Sequence, residues 1–97
     1  MAQPEARLSK KIMQAWRDRG AFCFKVWGSA HQMNGVPDIV GVYRGRFIAC
    51  ETKMPGNEPS RIQQHRIKQI EAAGGRCVVA YSVEAAVALL EDIDYNG

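Results

Sequence analysis

Asp38 closes the run Gly35-Val36-Pro37-Asp38, and Glu51 opens Glu51-Thr52-Lys53 thirteen positions later, so a short stretch of chain carries two carboxylates and an ammonium. Two carboxylates held close together and partly buried repel, and each raises the other's pKa unless a cation lies between them. Mg²⁺ and Mn²⁺, which prefer hard oxygen ligands, are the natural cations for such a pair. Lys53, two residues beyond Glu51 on a strand, shares its face. The chemistry on offer is a divalent-metal centre with an amine beside it, with Asp38, Glu51 and Lys53 as its core. A plain salt bridge between Lys53 and Glu51 is the competing structural reading.

What must hold these groups in place is a β-hairpin. Ile39-Val40-Gly41-Val42-Tyr43 and Arg46-Phe47-Ile48-Ala49-Cys50 are β-branched and aromatic runs joined by Arg44-Gly45, a two-residue loop whose glycine can take φ > 0. If Tyr43 faces Arg46, the same register sets Asp38 opposite Glu51, where facing side chains stand roughly 5 Å apart at Cβ. A bulge at Gly41 would slip that register by one residue.

Two further polar residues fall on apolar faces. Glu5 lies within about 20° of Ile12 and Trp16 around a helix, so a third carboxylate points inward; the alternative is a first-turn acid that complements the helix dipole. Gln63 shares a stripe with Ile67 and Ile70 and could orient a water or a metal ligand. Equally, Ser60-Arg61-Ile62-Gln63 is an S-x-x-Q capping box, in which the glutamine bonds back to the Ser60 amide.

Around the hairpin, Leu8, Ile12, Ala15 and Trp16 recur at helical spacing from Glu5 to about Arg19, where Gly20 supplies the stop. Ala21 to Trp27 reads as a strand and leads into a glycine-bounded loop from Gly28 to Gly35 that contains His31. Met54-Pro55-Gly56-Asn57-Glu58-Pro59 cannot continue a strand; Ser60 then caps a helix with the stripe Ile67, Ile70 and Ala73, ended by Gly74-Gly75. Cys77 to Tyr81 reads as a buried strand. Ser82 caps a last helix, Val83 to about Ile93, with Val83, Ala86, Val87 and Leu90 inward and a frayed tail from Asp94. The order α-β-β-β-α-β-α describes an α/β fold, one mixed central sheet flanked by helices.

Ninety-seven residues at 46% hydrophobic content make one domain over residues 1–97, with a single core. No run of about 18 apolar residues appears and the N-terminus lacks the pattern of a signal peptide, so no membrane association and a cytoplasmic location are expected. Cys23, Cys50 and Cys77 are odd in number, evenly spaced and set in apolar runs, which reads as reduced core residues rather than a zinc site. A net charge of +3 is compatible with a polyanionic partner without establishing one. Its distribution is more informative: Lys10 and Lys11 on the first helix, Arg44 and Arg46 at the hairpin turn, and Arg61 and Arg66 on the second helix are candidate phosphate contacts, although a solvated face is the plainer reading of each cluster. Glu84, Glu91, Asp92 and Asp94 gather the acids near the C-terminus.

In this order, Glu5, Gly35-x-Pro37-Asp38, Glu51-x-Lys53 and Gln63, with a hairpin between Asp38 and Glu51, resemble the PD-(D/E)xK nuclease superfamily, and most closely the VRR-NUC family (virus-type replication and repair nucleases) in its short, stand-alone form. The resemblance covers nearly the whole chain. It implies a restriction-endonuclease-like core, Mg²⁺ or Mn²⁺ as cofactor with no organic cofactor, and DNA as substrate. It also implies roles: Asp38 and Glu51 as metal ligands, Thr52 offering its backbone carbonyl, Lys53 as the catalytic lysine, Gln63 as the helix glutamine and Glu5 as the acidic helix position and a further candidate ligand. Stand-alone members resemble Holliday-junction resolvases, so branched DNA and a homodimer are expected, with Trp27, Phe47 and the C-terminal helix as candidate interface residues and core burial as the competing reading. The alternatives are a non-catalytic nucleic-acid module of the same fold, or a nuclease acting on flaps, RNA or linear duplex.

Overall fold

The structure, a computed structural model, describes residues 3–27 and 33–97. Its elements are α1 (Pro4–Asp18), β1 (Phe22–Lys25), β2 (Ile39–Tyr43), β3 (Arg46–Thr52), α2 (Arg61–Ala72), β4 (Arg76–Ala80) and α3 (Val83–Asn96), in the expected order. The four strands form one sheet in the order β1-β2-β3-β4, antiparallel except for the parallel β3–β4 pair that α2 connects.

The hairpin register is the one the turn implies. Tyr43 pairs with Arg46 and Ile39 with Cys50, with no slip at Gly41. The turn itself puts Arg44 at φ 50 and Gly45 at φ 76, the positive pair that a tight hairpin needs. At Gly41 a Cβ would sit 2.0 Å from the carbonyl oxygen of Phe22, so the close approach of β1 to β2 requires a glycine there.

One face of the sheet carries the core. Ile39, Tyr43, Ile48 and Cys50 pack with Ile12 and Trp16 of α1 and with Ala86, Leu90 and Ile93 of α3. Trp16 is fully buried and donates its indole N–H to the Ala86 carbonyl at 2.9 Å, which locks α1 against α3. The other face is covered less completely. Phe22, Phe24, Val42 and Phe47 are exposed, and α2 buries none of its residues fully, with Ala73 out in solvent. The expected buried strand is therefore corrected: β4 lies at the sheet edge under a loosely seated helix, and Arg76 to Val79 are only half-buried. Trp27 and Phe47 are likewise not core residues.

The C-terminus also departs from expectation. Asp94 accepts hydrogen bonds from the Tyr43 hydroxyl (2.7 Å) and the Arg44 guanidinium (2.5 Å), Asp92 pairs with Arg76, and α3 runs to Asn96 instead of fraying. Leu89 and Ile93 join Ala86 and Leu90 on its buried side, whereas Val87 is half-buried. Among the described residues no helix is long and apolar enough to cross a membrane.

Candidate active site

β1, β3 and β4 all end at the same side of the sheet where β2 begins, so Lys25, Asp38, Glu51 and Ala80 lie along one edge. Asp38 immediately precedes the ladder, and its carboxylate reaches across to accept the Thr52 amide at 2.8 Å. Its own carbonyl accepts from Val26 at 2.6 Å. The first acid of the site is thus tied to β3 by its side chain and to the strand beyond it by its backbone. In an extended strand the N–H and C=O of one residue point the same way, so the Thr52 carbonyl leaves β3 on the Asp38 side.

Glu51 sits on the sheet face opposite α1 and is 2% exposed. Its Oε2 accepts from the Gln63 amide at 3.2 Å and lies 3.8 Å from Lys53 Nζ, while Oε1 is buried and has no hydrogen-bond partner among the described residues. Burial, then the Asp38 charge, pushes its pKa from the ordinary 4.5 up to about 7; Lys53 pulls it down, Glu5 raises it, and Lys25 lowers it. The Lys53–Glu51 salt bridge exists, at a separation too long for a good hydrogen bond.

Of the two readings that the sequence left even for Gln63, the capping box is formed, and the same side chain also touches Glu51. Gln63 Oε1 accepts the Ser60 amide at 2.8 Å while the Ser60 hydroxyl accepts the Gln63 amide at 3.3 Å, completing a capping box. The remaining Nε2 is what reaches Glu51. The cap therefore fixes the rotamer that holds the acid.

Glu5 is half-buried and acts on Glu51 through space, but among the described residues no group of three or more His, Cys, Asp or Glu side chains converges as a metal cage. The donors that fit a hard cation are the Asp38 carboxylate, Glu51 Oε1 and the Thr52 carbonyl. A buried carboxylate oxygen with no partner among the described residues, beside a second carboxylate, is what such an ion would satisfy. The thiols do not compete as nucleophiles, since burial raises the pKa of Cys50 to about 12 and that of Cys77 to about 11.

The candidate phosphate contacts divide. Lys10 borders a cavity beside Glu5, Arg61 opens α2 next to Gln63, and Lys11 is exposed on α1. Arg66 donates to the Asn34 carbonyl at 2.8 Å, bracing the segment that leads into Asp38. Arg44 and Arg46 are placed elsewhere: the hairpin turn lies at the far end of the sheet, about 17 Å from Asp38 at strand spacing, and Arg44 is paired with Asp94. Lys25 was missed by sequence reasoning, because a single lysine at a strand end gives no signal until pairing with Ile39 places it beside Asp38. His31 lies outside the described residues.

No protein-family model and no curated protein matches this sequence. Six chains among the solved structures do. One, described as a "VRR_NUC domain", superposes with a TM-score of 0.76 over 93% of this chain and 97% of that one, at 23% sequence identity. The chain has that domain's fold, a restriction-endonuclease-like α/β core around a four-stranded mixed sheet.

Proposed function

We propose that this protein is a divalent-metal-dependent endonuclease that hydrolyses phosphodiester bonds in branched DNA, resolving four-way junctions as a homodimer. The observation that carries the reading is Glu51: a buried carboxylate with one oxygen unpartnered among the described residues, held by Gln63, next to Asp38 and within reach of Lys53. A structural role does not account for this arrangement, since burying the acid without satisfying it costs stability. The fold shared with a VRR_NUC domain supports it.

Asp38, Glu51 and the Thr52 carbonyl would hold Mg²⁺ or Mn²⁺. Such an ion supplies Lewis-acid polarisation of a phosphoryl oxygen and lowers the pKa of a water. Asp38, fixed by the Thr52 amide, and Glu51, fixed by Gln63, set the ligand geometry before substrate arrives. Lys53 is half-buried beside Glu51, where its ammonium can position the attacking water and neutralise charge that builds on the phosphoryl oxygens. Lys10, Arg61 and the backbone N-terminus of α2 would hold flanking phosphates, giving affinity that falls steeply with salt and carries little sequence preference.

End-labelled four-way junction, flap, linear duplex, single-stranded DNA and RNA are incubated with Mg²⁺ or Mn²⁺ and wild type or Glu51→Gln. Paired symmetric cuts in the junction, lost in the variant and in EDTA, are the expected result. Linear duplex cut as fast as the junction would remove the branched-DNA assignment, and salt-sensitive binding with no cleavage of any substrate would leave a non-catalytic nucleic-acid module.

A further inference from the structure

Beside the acid pair, on the α1 side of the sheet edge, lies a cavity of about 780 Å³ between the start of α1, the end of β1 and Met54. Pro4, Ala6, Met13 and Met54 give it an apolar floor, and Trp27 forms one wall with 73% of its surface exposed. Lys25 holds its ammonium 5.8 Å from the Trp27 ring centroid, and Lys10 and Arg17 also border the space, against the single acid Glu5. Lys25 pairs with Ile39, the residue after Asp38, and Met54 directly follows Lys53, so the cavity adjoins the site; Glu5 and Lys25 are also among the groups that act through space on Glu51.

A large exposed indole over an apolar floor, rimmed by cations, matches one chemical object well: a flat aromatic base joined to an anionic phosphate. The volume lies within the usual range for small-molecule sites, and the excess of cations over acids selects an anion. We infer that this cavity is a stacking subsite for one unpaired DNA nucleobase, which lies on Trp27 with its phosphate toward Lys25 and Lys10, next to the bond cleaved at Asp38 and Glu51. Paired bases inside a duplex cannot enter it, whereas a branch point or a frayed end offers one. This deepens the nuclease reading and rests on it, by supplying a physical source of preference for branched over linear DNA.

The two tryptophans make the test direct, because Trp16 is fully buried and Trp27 is exposed. Oligo-dT is titrated into the protein in EDTA while the red-edge tryptophan emission is recorded, with Trp27→Ala and Trp27→Phe binding followed in parallel by anisotropy of labelled oligo-dT. Saturable quenching in the wild type is expected. Trp27→Ala should weaken binding by roughly ten-fold, the cost of one lost base–aromatic stack, and Trp27→Phe should restore most of it. Binding without quenching, equal affinity in Trp27→Ala, or Trp27 emission already blue in the free protein, as a second copy seated on it would give, each overturns the inference. Metal-dependent cleavage is scored separately: cleavage without quenching removes the subsite alone, and quenching in a protein that never cleaves removes the nuclease reading alone.

Discussion

Glu51 carries both the cost and the use of the site. In the fold it ionises near pH 7 and when unfolded near 4.5, so between those values the native state holds a proton that the unfolded chain has lost. Stability must then fall as pH rises through that window and level off above it, by roughly 3 kcal/mol in all at about 1.4 kcal/mol per unit. Glu51→Gln removes the penalty while keeping the shape, so metal-free Tm at pH 8 is expected to rise by about 10–25 °C, with a much smaller change at pH 5 and no cleavage at either pH. Calorimetry of both proteins in EDTA measures it; an unchanged Tm at pH 8 would mean that Glu51 is not strained in the native state. Mg²⁺ or Mn²⁺ should raise the wild-type Tm and leave that of Glu51→Gln unmoved, because only the ionised acid gains from the ion. Lys53→Met separates ligand from catalyst: the metal-induced Tm shift should survive, while the cleavage rate drops about 10²-fold or more. The acids and the lysine were legible in the sequence because a hairpin turns spacing into a facing pair. Lys25 was not, since its place depends on a partner strand fourteen residues away in register.

At the scale of elements, local chemistry was readable and non-local cover was not. The Arg44-Gly45 turn fixed the register, Ser60 and Gly74 bounded α2, and Ser82 caps α3 through its bond from the Ala85 amide at 3.1 Å, all from short-range signals. What failed depended on distant packing: β4 proved to be a half-buried edge, Trp27 and Phe47 proved exposed, and the tail from Asp94 proved anchored by Tyr43, whose hydroxyl lies 51 positions away in sequence. Gly41 shows the same division, since its place in the strand was clear but the contact that demands glycine comes from β1. Gly41→Ala would drive a methyl into the backbone of Phe22 and Cys23, which cannot move without parting β1 from β2. About 3 kcal/mol of destabilisation is expected, read as a lower denaturant midpoint at unchanged m-value. Ser60→Ala should cost about 1 kcal/mol as a lost cap, and in addition lower the cleavage rate, because the same box aims Gln63 at Glu51. A cap serving helix stability alone would leave the rate untouched.

Over the whole molecule the charges sort by partner. Three of the four acids of α3, those in its C-terminal half, are matched by arginines, Glu91 by Arg19, Asp92 by Arg76 and Asp94 by Arg44, so that end of the protein is internally neutralised. The end with Asp38 and Glu51 instead keeps Lys10, Lys25, Lys53 and Arg61 around an acid pair that a divalent ion would neutralise, which leaves a surface suited to a phosphate backbone. Under the proposed function each chain brings one such acid pair, which would cut one strand. Resolution of a junction by two symmetric cuts therefore needs two chains acting on one substrate, and this gives the homodimer a test that requires no interface map. On a supercoiled plasmid bearing an extruded cruciform, wild type should produce linear molecules, since both strands are cut before the cruciform can reabsorb. With an excess of Glu51→Gln, subunit exchange should pair nearly every live site with a dead one, and the product should shift from linear to nicked circles. A monomeric nuclease would give the opposite pattern, with the variant merely slowing the appearance of the same products by competing for the branch.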